Sequence, residues 1–342
     1  MVADSKIEWT DHTFNPWYGC TNVSPGCDNC YAEALMDKRY HKVKWGAGNP
    51  RVRTNSVYWR QPLNWNRKAE VALAGWTEGV HLYGSEEACI AAGHVKPHRP
   101  RVFCASLADV FDNEVNTRWR TDLFLLISAT PHLDWLLLTK RIGNAYAMLP
   151  QMWIDNQPKP WRNVWLGATV VNQEEADRDI PKLLATPAAV RFLSIEPILG
   201  DIDLTTEWLT AKLGAYPFKT LPREYRTTFL DLIDWAIVGG ESGPKARPTN
   251  VAHIRRVVQQ CQAAGVPVFV KQLGARVVGW CASIAHADPA DRADCDAYYC
   301  DYYEAHEQGS PCGERGCAAL HDKKGGYQSE WPEDLRVREF PR

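Results

Sequence analysis

Short apolar runs recur along the chain, each followed by polar or glycine-containing residues and then by a stretch with helical spacing. That rhythm is the mark of repeated βα units around a parallel sheet, and it leaves few other architectures open. The runs predict strands at Thr13 to Tyr18, Val102 to Ala105, Trp135 to Thr139, Val164 to Thr169, Arg191 to Ile195, Trp235 to Val238 and Val266 to Val270. Between them, Asn116 to Ala129 carries Trp119, Leu123, Leu126 and Ile127 at helical spacing. Val251 to Ala264 likewise sets Ile254, Val257, Val258 and Cys261 on one face and ends before Gly265. The expected fold class is α/β, a partial (β/α) barrel with about six or seven parallel strands. A small Cys-rich C-terminal appendage is expected beside it.

A chain of 342 residues, 45% hydrophobic, has enough apolar material for one barrel-sized domain. The expected division is a barrel over 1–275 with a basic aromatic insertion at 38–68, a Cys-rich insertion at 276–321, and a tail at 322–342 packing on the barrel. The formal net charge of -2 means that contact with nucleic acid would have to come from a local patch. No apolar run of transmembrane length is present, and the N-terminal residues lack the succession of a secretory signal. The expectation is a cytoplasmic protein without membrane contact. In that reducing setting eleven cysteines are free to hold metal.

In parallel barrels the functional groups lie where strands end and the following loops begin. That rule selects Ser106 and Asp109, Thr139 with Lys140 and Arg141, Thr169, Glu196, then Gly239, Gly240, Glu241 and Ser242, and finally Lys271 with Gln272. Each alone has an ordinary reading, such as a helix cap for Asp109, a turn for Glu196 before Pro197, or a solvated Lys271. Their shared position is what makes them candidates.

Three further residues stand out. Cys20, Cys27 and Cys30 lie in one glycine- and proline-bearing loop directly after the first predicted strand and before a helix. Soft thiolates suit zinc or iron–sulfur clusters, and the two-residue gap from Cys27 to Cys30 lets adjacent thiolates bind one centre. A structural zinc site needs four protein ligands, whereas a 4Fe-4S cubane on three cysteines keeps one iron open to an outside ligand. A closed zinc site with His12 or His41 as fourth ligand is the alternative.

At these residues the chain resembles the phage Gp37/Gp68-type proteins, a three-cysteine-motif group of radical S-adenosylmethionine enzymes related in architecture to spore photoproduct lyase. The landmarks are Lys6-Ile7-Glu8-Trp9-Thr10, the cysteine loop ending in Tyr31-Ala32-Glu33, Leu137-Leu138-Thr139-Lys140-Arg141, Leu193-Ser194-Ile195-Glu196-Pro197, Asp234 to Gly243, and Glu330 to Arg336. The gap between Cys20 and Cys27 is wider than in the common radical enzymes and matches this group. The resemblance implies a TIM-type partial barrel and a 4Fe-4S cluster whose open iron is chelated by the amino and carboxylate groups of S-adenosyl-L-methionine. One-electron cleavage would give a 5'-deoxyadenosyl radical, with an electron donor such as flavodoxin or ferredoxin. Ser106, Asp109 and Glu196 are then candidates for the ligand's amino group or ribose, Thr169 for its carboxylate, and Tyr31 for its adenine. Thr139, Gly239, Gly240 and Ser242 complete the expected cofactor set, and Glu241, Lys271 and Lys140 are the candidate catalytic groups. In the superfamily a glycine–glycine–glutamate run normally follows the second strand, so its late place here leaves open adenine binding, substrate contact or a tight turn.

Between Lys38 and Lys68 lie nine Lys or Arg residues and no Asp or Glu, interleaved with Tyr40, Trp45, Tyr58, Trp59 and Trp65. Cations neutralise phosphates and exposed rings stack on unpaired bases. The candidate nucleic-acid contacts are Arg51, Arg53, Trp59, Arg60, Trp65 and Arg67, with DNA or RNA as partner. The competing reading is aromatic packing under long cationic stems. Further on, Cys295, Cys300, Cys312 and Cys317 form two pairs with matching four-residue gaps, accompanied by His306 and His321. They are expected to hold zinc or a second iron–sulfur cluster. Cys89, Cys104 and Cys261 are isolated and read as small buried residues.

The leading function is a radical enzyme repairing a lesion or modifying a nucleic-acid base. A zinc-stabilised nucleic-acid-binding module, and a radical enzyme acting on a small metabolite or peptide, are the alternatives.

Overall fold

A computed structural model describes residues 5, 7–155, 161–205, 228–279, 320 and 322–341. The Cys-rich quartet Cys295, Cys300, Cys312 and Cys317, with His306 and His321, lies outside the described residues. The fold is α/β. Seven strands, β1 (His12–Phe14), β2 (Arg101–Cys104), β3 (Asp134–Thr139), β4 (Val164–Thr169), β5 (Val190–Ile195), β6 (Trp235–Gly239) and β7 (Val268–Gln272), form one sheet. Their order in space is their order in the chain, as in a partial (β/α) barrel of the TIM type. The registers are parallel: His12 pairs with Val102, Cys104 with Leu137, Phe192 with Trp235, and Val268 with Ala236. Strands β3, β4 and β6 are buried almost throughout. That is why they read as continuous apolar runs and not as alternating ones.

The first strand is shorter than its sequence pattern predicts. It stops at Phe14, and Trp17–Tyr18 pairs antiparallel with Val52–Arg53 instead. Pro16 has no amide hydrogen for a ladder. Asn15, beside it, turns its side chain to Ser106 Oγ and the Leu107 amide, 3.1 and 2.8 Å away.

The chain divides into two compact units. One comprises Met1–Val23, Cys30–Gly167 and Thr186–Val190; the other comprises Ser24–Asn29, Ala168–Ala185 and Arg191–Arg342. In the first, Phe14, Trp17, Trp135 and Trp153 are fully buried. Phe14 stacks on Tyr58 and meets Trp59 and Trp135 edge-on.

A 23-residue helix, α1 (Gln61–Tyr83), was not signalled by any apolar stripe, because it buries only Pro62, Trp65 and Ala69. It closes on Gly84 in the left-handed conformation. The short α2 (Glu86–Ala91), capped by Ser85, then folds back so that Cys89 lies against Gly79. Helix α3 (Thr117–Ser128) is capped by Asn116 and buries Leu123, Phe124, Leu126 and Ile127.

In the second unit α5 (Val251–Ala263) follows α4 (Gln173–Ala185) and buries Ile254, Val257, Val258 and Cys261, the stripe expected from its spacing. Trp235 is fully buried and donates from Nε1 to the Glu339 carbonyl at 2.8 Å. Its ring lies among Phe192, Phe269 and Phe340. Cys89, Cys104 and Cys261 are all completely buried. No helix among the described residues is long and apolar enough to cross a membrane.

Candidate functional site

In the first unit the chain leaves β1, passes Gly19 and reaches Cys20. Gly19 has φ near +103°, and a Cβ there would stand 2.9 Å from Val43 Cγ2, so the position requires glycine. Cys20 and Cys30 both pack against a small core of Ala32, Met36, Val43 and Trp45. Cys30 precedes a single α-helical turn, Tyr31–Glu33, which widens into π-type turns over Ala34–Arg39. Tyr31 is 57% exposed, yet its hydroxyl donates to the Ser106 carbonyl at 2.5 Å. Its ring is therefore fixed at the hydroxyl end.

Asp109 and Arg141 form the centre of this region. Asp109 accepts from Thr139 Oγ1 at 2.8 and 2.9 Å, from the Phe111 and Lys140 amides, and from Arg141 Nη1 at 3.3 Å. With both oxygens engaged by its own chain and the residue buried, Asp109 is withdrawn from the candidates for a ligand's amino group or ribose. It orients Arg141 instead. Arg141 Nη1 points at Cys20 Sγ, 3.2 Å away, and Nη2 donates to the Thr21 carbonyl at 2.5 Å. Burial works against the charge of Arg141, but Asp109 and the Cys20 sulfur outweigh it and hold the guanidinium more firmly protonated than usual. Burial, with Asp109 adding to it, pushes the Cys20 thiol up to about 12.

A second buried cation grips the same stretch. Arg51 pairs with Asp112 at 2.8 Å and Glu114 at 3.0 Å, and donates to Thr21 Oγ1 at 2.8 Å and to the Gly46 and Asn49 carbonyls. Its side chain is 1% exposed, so it faces no phosphate and leaves the nucleic-acid set. Trp65 leaves it too, buried and stacked on His12 at 4.2 Å. Arg53 pairs with Asp122 at 2.8 Å and lies over the Trp59 ring, whose Nε1 donates to Thr54 Oγ1. Arg51 and Trp65 take the packing role that competed with nucleic-acid contact in the sequence, while Arg53 and Trp59 are half-buried and pack on each other. Arg60 and Arg67 stay exposed. Of the two histidines considered as fourth ligands, His12 is the one stacked on Trp65, and His41 is exposed.

In the second unit the segment Ser24–Asn29 carries Cys27. Ser24 caps a 3-10 turn over Pro25–Cys27 by accepting from the Gly26 amide at 3.0 Å. Arg247 holds this segment through the Pro25 carbonyl at 2.9 Å and Asp28 at 3.1 Å. The same guanidinium forms a two-pronged pair with Glu241, Nε to Oε2 at 3.0 Å and Nη2 to Oε1 at 2.8 Å. The Arg247 amide and Asn29 Nδ2 also donate to Oε2. Burial alone would raise the Glu241 carboxyl, but the bonds from Arg247 and Asn29 prevail and hold it below the usual range. Its place in this network makes Glu241 an anchor for the Cys27 segment.

Gly239 and Gly240 serve close backbone approach. A Cβ on Gly240 would collide with the Leu273 carbonyl and come within 2.5 Å of Thr249 Oγ1; one on Gly239 would meet Glu196 Oε1 at 2.8 Å. Lys271 Nζ pairs with Glu196 Oε1 at 3.0 Å at the ends of β7 and β5. Thr169 is buried at the end of β4, Ser242 is exposed, and Lys140 is half-buried after β3.

Nothing in the sequence marks Arg247 or Arg51 as an anchor, since no periodicity links either to its partners. Asp28 and Asn29, both lying between Cys27 and Cys30, are the partners that the cysteine loop itself displays.

Cys20, Cys27 and Cys30 are free thiols. Among the described residues no three His, Cys, Asp or Glu side chains are gathered as for a single metal ion. The chemistry of the donor set nevertheless fits an iron–sulfur centre: three soft ligands in one loop, one of them met by a buried guanidinium. A neutral thiol is a weak acceptor for such a donor, whereas a metal-bound thiolate is a charged one.

No curated protein and no solved structure matches the chain. A family model described as a protein of unknown function (DUF5131) matches residues 4–302, nearly the whole length, and the chain belongs to that family.

Proposed function

We propose that the protein is a radical S-adenosylmethionine enzyme whose 4Fe-4S cluster is held by Cys20, Cys27 and Cys30. The observation that carries this reading is three cysteines, none in a disulfide, within one segment that follows the first strand of a parallel βα sheet and its short Trp17–Tyr18 ribbon. When bound, such a cluster supplies the electron that splits the carbon–sulfur bond of S-adenosylmethionine to give a 5'-deoxyadenosyl radical. The chain's own part is to fix the ligands and orient what binds beside them. Asp109 and Arg141 steady Cys20, and Glu241 with Arg247 steadies the turn bearing Cys27. Tyr31, exposed and tied by its hydroxyl to the Ser106 carbonyl directly after Cys30, is the aromatic residue assigned to adenine in this reading. Lys271 and Glu196, paired at strand ends, are the groups available to a polar ligand.

The substrate class in this reading is a nucleic-acid base, for repair or modification. Exposed Arg39, Lys42, Arg60, Arg67 and Lys68 support it as available cations, and Arg39 lies over the exposed Tyr40 ring at 5.4 Å. The quartet Cys295, Cys300, Cys312 and Cys317 is proposed to hold zinc or a second cluster.

Anaerobic purification tests the centre. The intact protein is expected to be brown with about four irons per main cluster. Cys27→Ala should lose that absorption, and dithionite with S-adenosylmethionine should yield 5'-deoxyadenosine only in the intact protein. A colourless protein carrying zinc at these cysteines would refute the reading and favour a zinc-stabilised binding module. For the substrate, Arg60→Ala with Arg67→Ala should weaken oligonucleotide binding at low salt, the gap closing as salt rises. Binding insensitive to salt would redirect the search to a small metabolite or peptide.

A further inference from the structure

We propose that Arg141 is a positioning residue that sets the reduction potential of the centre held by Cys20, through the hydrogen bond from its Nη1 to Cys20 Sγ. This rests on the cluster reading above and adds to it a residue that governs how readily the centre accepts an electron.

The contact has the properties of a built interaction. It spans 3.2 Å, and the Arg141 side chain is only 8% exposed, so little solvent screens it. The residue is held at three points, two of them on the guanidinium. Asp109 accepts from Nη1, the Thr21 carbonyl accepts from Nη2, and the Arg141 amide donates to Thr139 Oγ1 at 2.8 Å. Thr139 in turn donates to Asp109, which closes the arrangement and leaves Arg141 one orientation. Hydrogen bonds and positive charge at a cluster sulfur favour the reduced, more negative state and raise its potential. Asp109 offsets part of that charge, so Arg141 acts chiefly through a directed donor and not as a bare cation.

Arg51 supplies an internal control. It grips the next residue, Thr21, with comparable burial and also answers to a carboxylate, Asp112, yet its guanidinium donates to oxygen atoms. A loss of loop packing should therefore appear in variants of either arginine. A loss of the sulfur contact belongs to Arg141.

The experiment compares the intact protein with Arg141→Gln, Arg141→Lys and Arg51→Gln, each reconstituted anaerobically. Iron content and visible absorption are measured first, then the midpoint potential by dithionite titration followed by electron paramagnetic resonance. The expected result is full iron content with a midpoint more negative in Arg141→Gln, a smaller shift in Arg141→Lys, and little shift in Arg51→Gln. Equal shifts in the glutamine variants of Arg141 and Arg51, or none in the Arg141 variants, would overturn the proposal and leave the cluster reading intact. Absence of iron from the intact protein would overturn both. If Arg141→Gln fails to fold, Arg141→Lys decides, since an unchanged potential there together with a lost Nη1 donor contradicts the inference.

Discussion

Asp109–Arg141 in the first unit and Glu241–Arg247 in the second are both carboxylate–arginine pairs that steady part of the cysteine loop, yet they are built differently. Arg141 is almost sealed, fixed at both terminal nitrogens and aimed at a sulfur. Arg247 is 28% exposed on its side chain and grips a backbone carbonyl and the open carboxylate of Asp28. The difference is one of solvent. A sealed pair tolerates no loss of a partner, because the remaining charge has nowhere to be hydrated. A half-open pair leaves water as a substitute and behaves as an adjustable latch.

Removing Asp109 should break the comparison most sharply. Asp109→Ala strands Arg141 and leaves the Thr139 hydroxyl and two amides without their acceptor, and a loss of about 3–5 kcal/mol is expected in denaturant unfolding. A loss below about 1 kcal/mol would mean that water reaches the pair. Arg247→Ala should cost less, about 1–3 kcal/mol, with the effect concentrated at residues 24–29. Hydrogen exchange of the Cys27 amide, which donates to the Ser24 carbonyl at 2.9 Å, is the direct measure. Faster exchange there, with β3 unchanged, is the expected pattern.

Acidity separates regions by sign. The Glu241 carboxyl is held below its ordinary value of about 4.5, so its contribution is complete above that pH and is lost as pH falls through the lower folded value. The stability gap between the intact protein and Glu241→Gln should be flat above about pH 4.5 and shrink below it. Asp134, at the start of β3 beside Arg99, is the opposite case, raised by burial from 3.8 to about 6. The folded state there holds the proton more tightly than the unfolded chain. Relative to Asp134→Asn, the intact protein should therefore lose stability as pH rises from about 4 to about 6, by no more than about 1.4 kcal/mol per pH unit. Thermal unfolding across that range checks both signs.

Much of the sheet was readable before any coordinates, and the reason lies in strands such as Val164–Thr169, where burial on both faces writes an unbroken apolar run. The break after Phe14 was less visible, because Trp17 and Tyr18 continue the apolar character into a different pairing. Helix α1 leaves no such mark, because three buried residues in 23 make no stripe. Within the site, the three cysteines announce themselves by local spacing. Arg247, more than two hundred positions from Pro25, does not, since a bond to a backbone carbonyl leaves no mark on the residue that offers it. The basic segment misled in part because sequence shows the sign of Arg51 and not the burial of Asp112 opposite it.

The arm formed by α1 and α2 has a practical consequence. Past Ala69 it commits only Cys89 fully to the interior, and at its tip a side chain on Gly84 would meet nothing within 4 Å. A reporter domain or a fluorescent label spliced in at that tip should leave strand pairing and thiols undisturbed, giving a convenient handle for following the protein under oxygen-free conditions.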